Sequence, residues 1–345
     1  ASAPRRRMLR LLVVDVHGVI VRPTDPVEGL LLPLITERRP DADPDRVREL
    51  HRRLVLGRIS VEEFWSEVGL GPVADEVETS YLGTLEFSDG RPNSATADEL
   101  YDHLTYLRAV EVFLSWMPAA SIEAMRMGHA QAGVTRPNQV GITEQLMDSN
   151  PLFLTGNTDT VYASTVLDLE RDGPTVVVIP PRCGPGTVND AFFRFVVDMG
   201  APGPDRGKGG KYLILPPDYN GLRIEFPEDN STVTLTAGGV TDDYYVVQSR
   251  SYVNWLILRG FLVDGKPDAS VEMFKQGLEI YPLEDAADPP DMEFKNLSRA
   301  VLNTIHANDE TVYEELNHVI QKEPVGLVDP ELRGLASAIG IEKGT

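Results

Sequence analysis

A succession of strand-like segments runs through residues 153–250 with no helical pattern between them. The segments 160–169, 175–179, 192–197, 211–215, 222–226, 231–236 and 244–248 are rich in β-branched and aromatic residues, and Gly, Pro, Asp and Asn separate them. Strands that follow one another directly pair through short turns, so an antiparallel β-sandwich or jelly-roll-like core is expected. Helical spacing flanks this block. Asp43 and Pro44 open a helix carrying Val47, Leu50 and Leu54, and Ser60 with Glu63 forms a capping box before a second. Thr96 and Glu99 open a helix that Pro118 should break, a separate helix covers 119–132, and further helices fall at 269–280, 309–321 and 330–339. The fold class is α+β.

Two stretches interrupt the pattern. Residues 83–94, with Ser88-Asp89-Gly90-Arg91-Pro92-Asn93, have the chemistry of a linker, which places a boundary between units 1–88 and 89–345. The first unit then holds helices and one buried strand, at residues 9–14. Residues 201–210 join two apolar strands through a hairpin-like connection dense in glycine, proline and charge. Glycine lets backbone amides approach a ligand and proline fixes the bends between them, so such a loop is expected to be rigid and to build a pocket. It is not a phosphate loop: only three residues separate Gly203 from Gly207, and Gly209 stands where a metal-binding hydroxyl is needed.

Charge narrows the partners. The 345 residues carry a formal net charge of −21, which repels nucleic acid and anionic membrane. A single cysteine, Cys183, rules out an internal disulfide and a cysteine-rich zinc site. Residues 5–14 imitate a secretion signal until Asp15 and His17 interrupt them, so a soluble and cytoplasmic protein is expected.

The candidate site residues fall in several groups. Arg194, Lys208 and Lys211 with Asp198 and Asp205 can surround an anionic or sugar-like ligand, or can form a salt-bridge network that pins the loop. Tyr212, Arg250 and Arg259 join them as ligand-binding candidates. Asn157 and Asp159 offer hard oxygen ligands for magnesium or calcium, or an Asx turn. His306 and Asp309 can make an acid–base pair, or Asp309 can cap the helix that follows.

Asp15-Val16-His17-Gly18-Val19, after an apolar strand, resembles the first motif of haloacid-dehalogenase-like phosphatases, and residues 55–65 resemble the cap region of that superfamily. The resemblance makes Asp15 a nucleophile, but His17 occupies the position of the second, proton-transferring aspartate. The remainder, from about Ala95, resembles a bacterial family known as domain of unknown function 1254. That likeness rests on Phe153-Leu-Thr-Gly-Asn157-Thr-Asp159-Thr-Val-Tyr162, the charged loop, Arg250 with Trp255-Leu-Ile-Leu-Arg259-Gly-Phe261, and Asn303-Thr-Ile-His306-Ala-Asn-Asp309 followed by Glu323-Pro324. It implies a companion domain, number 1214, after the point where this sequence ends. Three functions stay open: a phosphoester hydrolase using Asp159 or His306, a non-catalytic binding or assembly module that can self-associate into a homo-oligomer, and a phosphatase using Asp15.

Overall fold

The computed structural model describes residues 27–70, 75–88, 91–221, 224, 227 and 231–344. The strand expected at 9–14, with Asp15 and His17, lies outside the described residues. The chain divides into two compact units, Ala1–Tyr106 and Leu107–Thr345.

In the first unit, α1 (Leu32–Arg38), α2 (Pro44–Val55) and α3 (Val61–Val68) bury Ile35, Leu50 and Phe64 together. Local chemistry sets their ends. The Asp43 carboxylate accepts from the Asp45 amide, while Ser60 and Glu63 exchange reciprocal capping bonds. Gly69, at φ 76°, turns the chain out of α3 in the left-handed region that suits glycine. Residues 84–88 and 91–92, expected in a linker, are strands. β1 (Glu76–Glu78), β2 (Thr84–Ser88) and β3 (Arg91–Pro92) form an antiparallel three-stranded sheet with Leu85 buried. An Asp-Gly pair is as strong a hairpin signal as a boundary signal, and the alternating residues before it decide between the two.

The division between units falls within α4 (Ser94–Gln131), which merges the two helices expected on either side of Pro118. Asn93 caps it by accepting from the Thr96 amide, and the Thr96 hydroxyl accepts instead from the amide of Glu86. A proline inside a helix costs about 3 kcal/mol. The next turns bury Ala119, Ala120, Ile122 and Met125, and each large apolar side chain returns roughly 1.5–3 kcal/mol. Tertiary burial therefore carries the helix through the proline.

The second unit continues with β4 (Gln139–Ile142), β5 (Val161–Asp168), the single turn α5 (Leu169–Asp172), β6 (Thr175–Ile179), β7 (Pro185–Asp190), β8 (Phe195–Gly200) and β9 (Gly210–Leu215). β10 (Val233–Ala237), β11 (Val240–Gln248), β12 (Val253–Gly260), α6 (Asp268–Gly277), β13 (Glu279–Pro282), β14 (Glu293–Asn296), α7 (Val312–Lys322) and α8 (Pro330–Ser337) follow. Six strands form one sheet in the order β14-β4-β5-β12-β7-β8, and five form another in the order β10-β11-β9-β6-β13. Pairing is antiparallel except between β9 and β11 and between β4 and β14.

Between the sheets lies one core: Val161, Val188, Met199, Leu256 and Leu258 from the first meet Val177, Ile179, Tyr212 and Ile214 from the second. On its other face the six-stranded sheet packs Tyr162, Trp255 and Ile257 against Val112, Trp116 and Met125 of α4 and Leu316 and Val319 of α7. Burial on both faces explains why β5 and β12 read as nearly continuous apolar runs. β7 has weak strand character in its sequence. It is held as a strand by β12 and β8 on its two sides, and Gly186 lets it approach β12, because an added Cβ would lie 2.4 Å from Leu258. The segment 222–226 falls largely outside the described residues.

Candidate functional site

The charged loop is not a hairpin. It leaves β8 in the six-stranded sheet and enters β9 in the five-stranded sheet, so it crosses between layers. Its organiser is Asp205, 1% exposed. One carboxylate oxygen accepts from the Gly200 amide at 2.8 Å and from the Tyr212 hydroxyl, and the other from the amides of Gly207 and Gly209 at 3.0 and 3.2 Å. These donors are why the loop needs glycine: Gly200 and Gly209 have φ of 72° and 80°, and an added Cβ at Gly200 would meet the Gly184 carbonyl oxygen at 2.1 Å. Burial and the Asp205 carboxylate push the Tyr212 hydroxyl well above its ordinary pKa. The amides that composition offers to a ligand are spent on the loop's own carboxylate.

Nor do the basic candidates converge. Arg194 donates to the Leu327 carbonyl at 2.7 Å and lies over the Phe192 ring, Lys211 pairs with Asp242, and Lys208 and Arg250 are exposed. Arg194 precedes β8 and Lys208 follows it, so the strand's length separates them. Asp198 sits on β8 opposite Thr187, partly buried. Arg194, Lys208 and Lys211 share no hydrogen-bond or ion-pair partner.

Three of the motif segments do come together. Register places Tyr162 of β5 opposite Arg259 of β12, and the Arg259 guanidinium lies 5.8 Å from the centre of the Tyr162 ring. The Tyr162 hydroxyl accepts from the Asn157 amide, while Phe153 stacks on the Tyr162 ring. Thr304 closes the group, because its hydroxyl accepts from the Leu154 amide at 2.8 Å. Arg259 is partly buried, its Nε has no hydrogen-bond partner, and no carboxylate pairs with it among the described residues.

Around this group the metal and acid–base expectations change. The Asn157 side chain accepts from the Asp159 amide, making an Asx turn with both residues exposed. Among the described residues no cluster of three or more His, Cys, Asp or Glu side chains has the geometry to hold a metal ion. Magnesium or calcium at Asn157 and Asp159 would thus need ligands from elsewhere. Asp309 accepts from the amide and hydroxyl of Thr311 just before α7, and its carboxylate is held below the usual range by those bonds. His306 donates from Nδ1 to the Ala307 carbonyl and packs edge-on against Phe113. No hydrogen bond joins His306 to Asp309.

Two buried polar devices tie the motif residues Trp255 and Glu323 to positions the motifs do not include. Trp255 Nε1–H donates to the Ser164 hydroxyl, Ser164 donates to His129 Nε2, and His129 Nδ1–H donates to the Met125 carbonyl at 2.7 Å. The carbonyl fixes the tautomer, and burial pushes His129 down to about 4, so the imidazole is neutral. Glu323, 3% exposed, accepts from the Tyr252 and Val253 amides at 2.7 and 2.9 Å, and burial pushes it up to about 7. Burial also pushes the Cys183 thiol up to about 12, far from a reactive thiolate.

A cleft of about 300 Å³ opens beside α7 and α8. Trp116, Val319, Leu327 and Ile341 give it an apolar floor, with Arg333 and Lys343 on its wall. Side-chain tethers fix its backbone: Trp116 Nε1 donates to the Leu332 carbonyl and Arg194 to that of Leu327.

No helix of the described residues is long and apolar enough to cross a membrane. No curated protein matches this chain. Among solved structures it is similar to the VPA0106 protein from Vibrio parahaemolyticus, with 17% identity and a TM-score of 0.44 over 70% of this chain and 53% of that one. The chain thus spans about half the length of that protein. Residues 137–282, from the start of β4 to the end of β13, match the model of a family described as protein of unknown function, DUF1254.

Proposed function

We propose that the second unit is a binding module for a small anionic ligand, with Arg259 as the group that grips it. The observation that carries this reading is the unpaired Arg259 guanidinium, stacked on Tyr162 beside the exposed Asn157–Asp159 turn. A buried donor without an acceptor costs roughly 1–3 kcal/mol. A carboxylate or phosphate oxygen repays that cost, and the ring beneath the fork fixes its plane in advance. In a chain with a net charge of −21, a cation left unpaired on a partly buried sheet face is a specific feature. Binding is favoured over hydrolysis because Asp159 and His306 have no hydrogen bond or ion pair to each other or to Arg259.

Titration calorimetry with inorganic phosphate and with acetate tests the reading, alongside turnover of 4-nitrophenyl phosphate with and without magnesium or calcium. The expected result is heat of binding in the wild type, loss of it in Arg259→Gln, and no turnover. Turnover that disappears in Arg259→Gln transfers the reading to the hydrolase. Absence of heat with both anions overturns it.

A further inference from the structure

The structure assigns a second ligand site, separate from Arg259: we infer that the cleft between α7 and α8 binds a small amphiphilic carboxylate, its apolar body on Trp116, Val319, Leu327 and Ile341 and its head on Arg333. Size sets the first limit. Ligand pockets span roughly 300–1,000 Å³, so a cleft of about 300 Å³ admits a short chain or single ring and excludes a nucleotide.

The wall sets the charge of the occupant. Arg333 Nε is buried with no hydrogen-bond partner, and no carboxylate pairs with its guanidinium among the described residues. Lys343 is engaged already, its ammonium donating to the carbonyls of Gln321 and Glu323 at 2.9 and 2.5 Å. It adds positive potential without competing for the head group. Two carboxylates line the cleft, Glu323 and Glu342, and the two oxygens of Glu323 are occupied by the amides at the start of β12. Ser337 donates to Glu342, so that carboxylate too has a local donor. One open guanidinium above an apolar floor therefore selects a single anionic group attached to a hydrocarbon.

The geometry is built rather than incidental. Leu327 in the floor and Leu332 within α8 have their carbonyls held by Arg194 and Trp116 from other parts of the unit. A cleft whose backbone is tied at two points by long-range side-chain bonds keeps its shape without an occupant, which lowers the ordering cost of binding.

The test is calorimetric titration of the whole chain with octanoate and with octanamide, which differ only in the head group. Octanoate is expected to bind more tightly than octanamide, and Arg333→Gln should remove about tenfold to a hundredfold of the octanoate affinity, leaving octanamide unchanged. Gly334→Phe provides the steric arm: a Cβ at Gly334 meets nothing within 4 Å, and a bulky side chain there should block both ligands. Far-UV circular dichroism confirms that both variants fold. Arg259→Gln should leave octanoate binding intact, which separates this site from the one proposed above. Equal affinity for the two ligands, no binding of either, or octanoate binding unchanged in both Arg333→Gln and Gly334→Phe overturns the inference.

Discussion

Removing the Asp205 carboxylate should unfold the layer crossing rather than abolish a binding event. Asp205→Ala leaves the amides of Gly200 and Gly209 and the hydroxyl of Tyr212 without this acceptor in a buried corner, while the Gly207 amide keeps only its second acceptor, the Gly200 carbonyl. Each buried donor left unpaired costs roughly 1–3 kcal/mol. Water entering the space of the lost carboxylate recovers part of that, so a net loss of at least about 3 kcal/mol is expected, a large fraction of the roughly 5–15 kcal/mol that holds a domain. Asp205→Asn should be nearly as damaging, because one carboxamide oxygen cannot replace two carboxylate oxygens that each accept twice. Tyr212→Phe removes one donor and leaves three, which should cost only about 1 kcal/mol. Urea unfolding followed by fluorescence of Trp116 and Trp255, both in this unit, measures the series. Amide exchange at Gly200, Gly207 and Gly209 should accelerate in Asp205→Ala well before global unfolding. An Asp205→Ala protein within about 0.5 kcal/mol of the wild type would refute the claim that this carboxylate organises the loop.

Glu323 gives a pH test of known sign. Its folded-state pKa of about 7 lies above the ordinary 4.5, so the folded protein holds the proton that the unfolded chain releases, and the stability this confers fades as pH rises from about 4.5 through 7. Glu323→Gln should therefore gain on the wild type by up to about 3 kcal/mol across that interval, measured as the difference between their urea midpoints. A difference that does not change with pH would show that Glu323 titrates normally. His129 acts in the opposite sense: depressed to about 4 from 6.5, it contributes stability that is lost as pH falls below about 6.5. Arg259→Met should leave stability unchanged or raise it slightly, since it removes an unpaired buried Nε while keeping the apolar stem over Tyr162; a loss of more than about 2 kcal/mol in thermal unfolding would mean the guanidinium has a structural partner.

The parts of the fold legible in the sequence are those decided locally. Asp43, Ser60 and Glu63 cap helices with atoms two or three residues away, so the capping pattern alone locates α2 and α3. The Val-rich run at β6 has one reading, and the structure bears it out from Thr175 to Ile179. What the sequence concealed depends on distant partners. Pro118 breaks a helix on local grounds, and only the burial of Ile122 and Met125 shows why α4 continues. Pro185 and Gly186 speak against a strand until β12 and β8 supply one on each side. The cleft is built from Trp116 on α4, Val319 on α7 and Arg333 on α8, and of these segments only the neighbouring Glu323-Pro324 pair stood out beforehand.

The charged loop shows where composition stops being informative. Glycine and fixed bends expose backbone amides, and exposed amides attract an anion, whether that anion belongs to a ligand or to the chain. The deciding feature is an acidic residue inside the glycine run itself. Asp205 lies among Gly200, Gly203, Gly207 and Gly209, close enough in sequence that its carboxylate reaches three of their amides without any tertiary constraint. Once it does, those amides are already engaged, and Lys211 nearby is engaged too, paired with Asp242. Arg259 differs because its strand carries no acidic neighbour: along Trp255-Leu-Ile-Leu-Arg259-Gly-Phe261 nothing can neutralise it locally, and the residue that register sets beside it is a tyrosine ring. If Arg259 holds the ligand as proposed, a cation without a local counter-charge is a better guide to a binding position than a glycine-rich loop that carries its own.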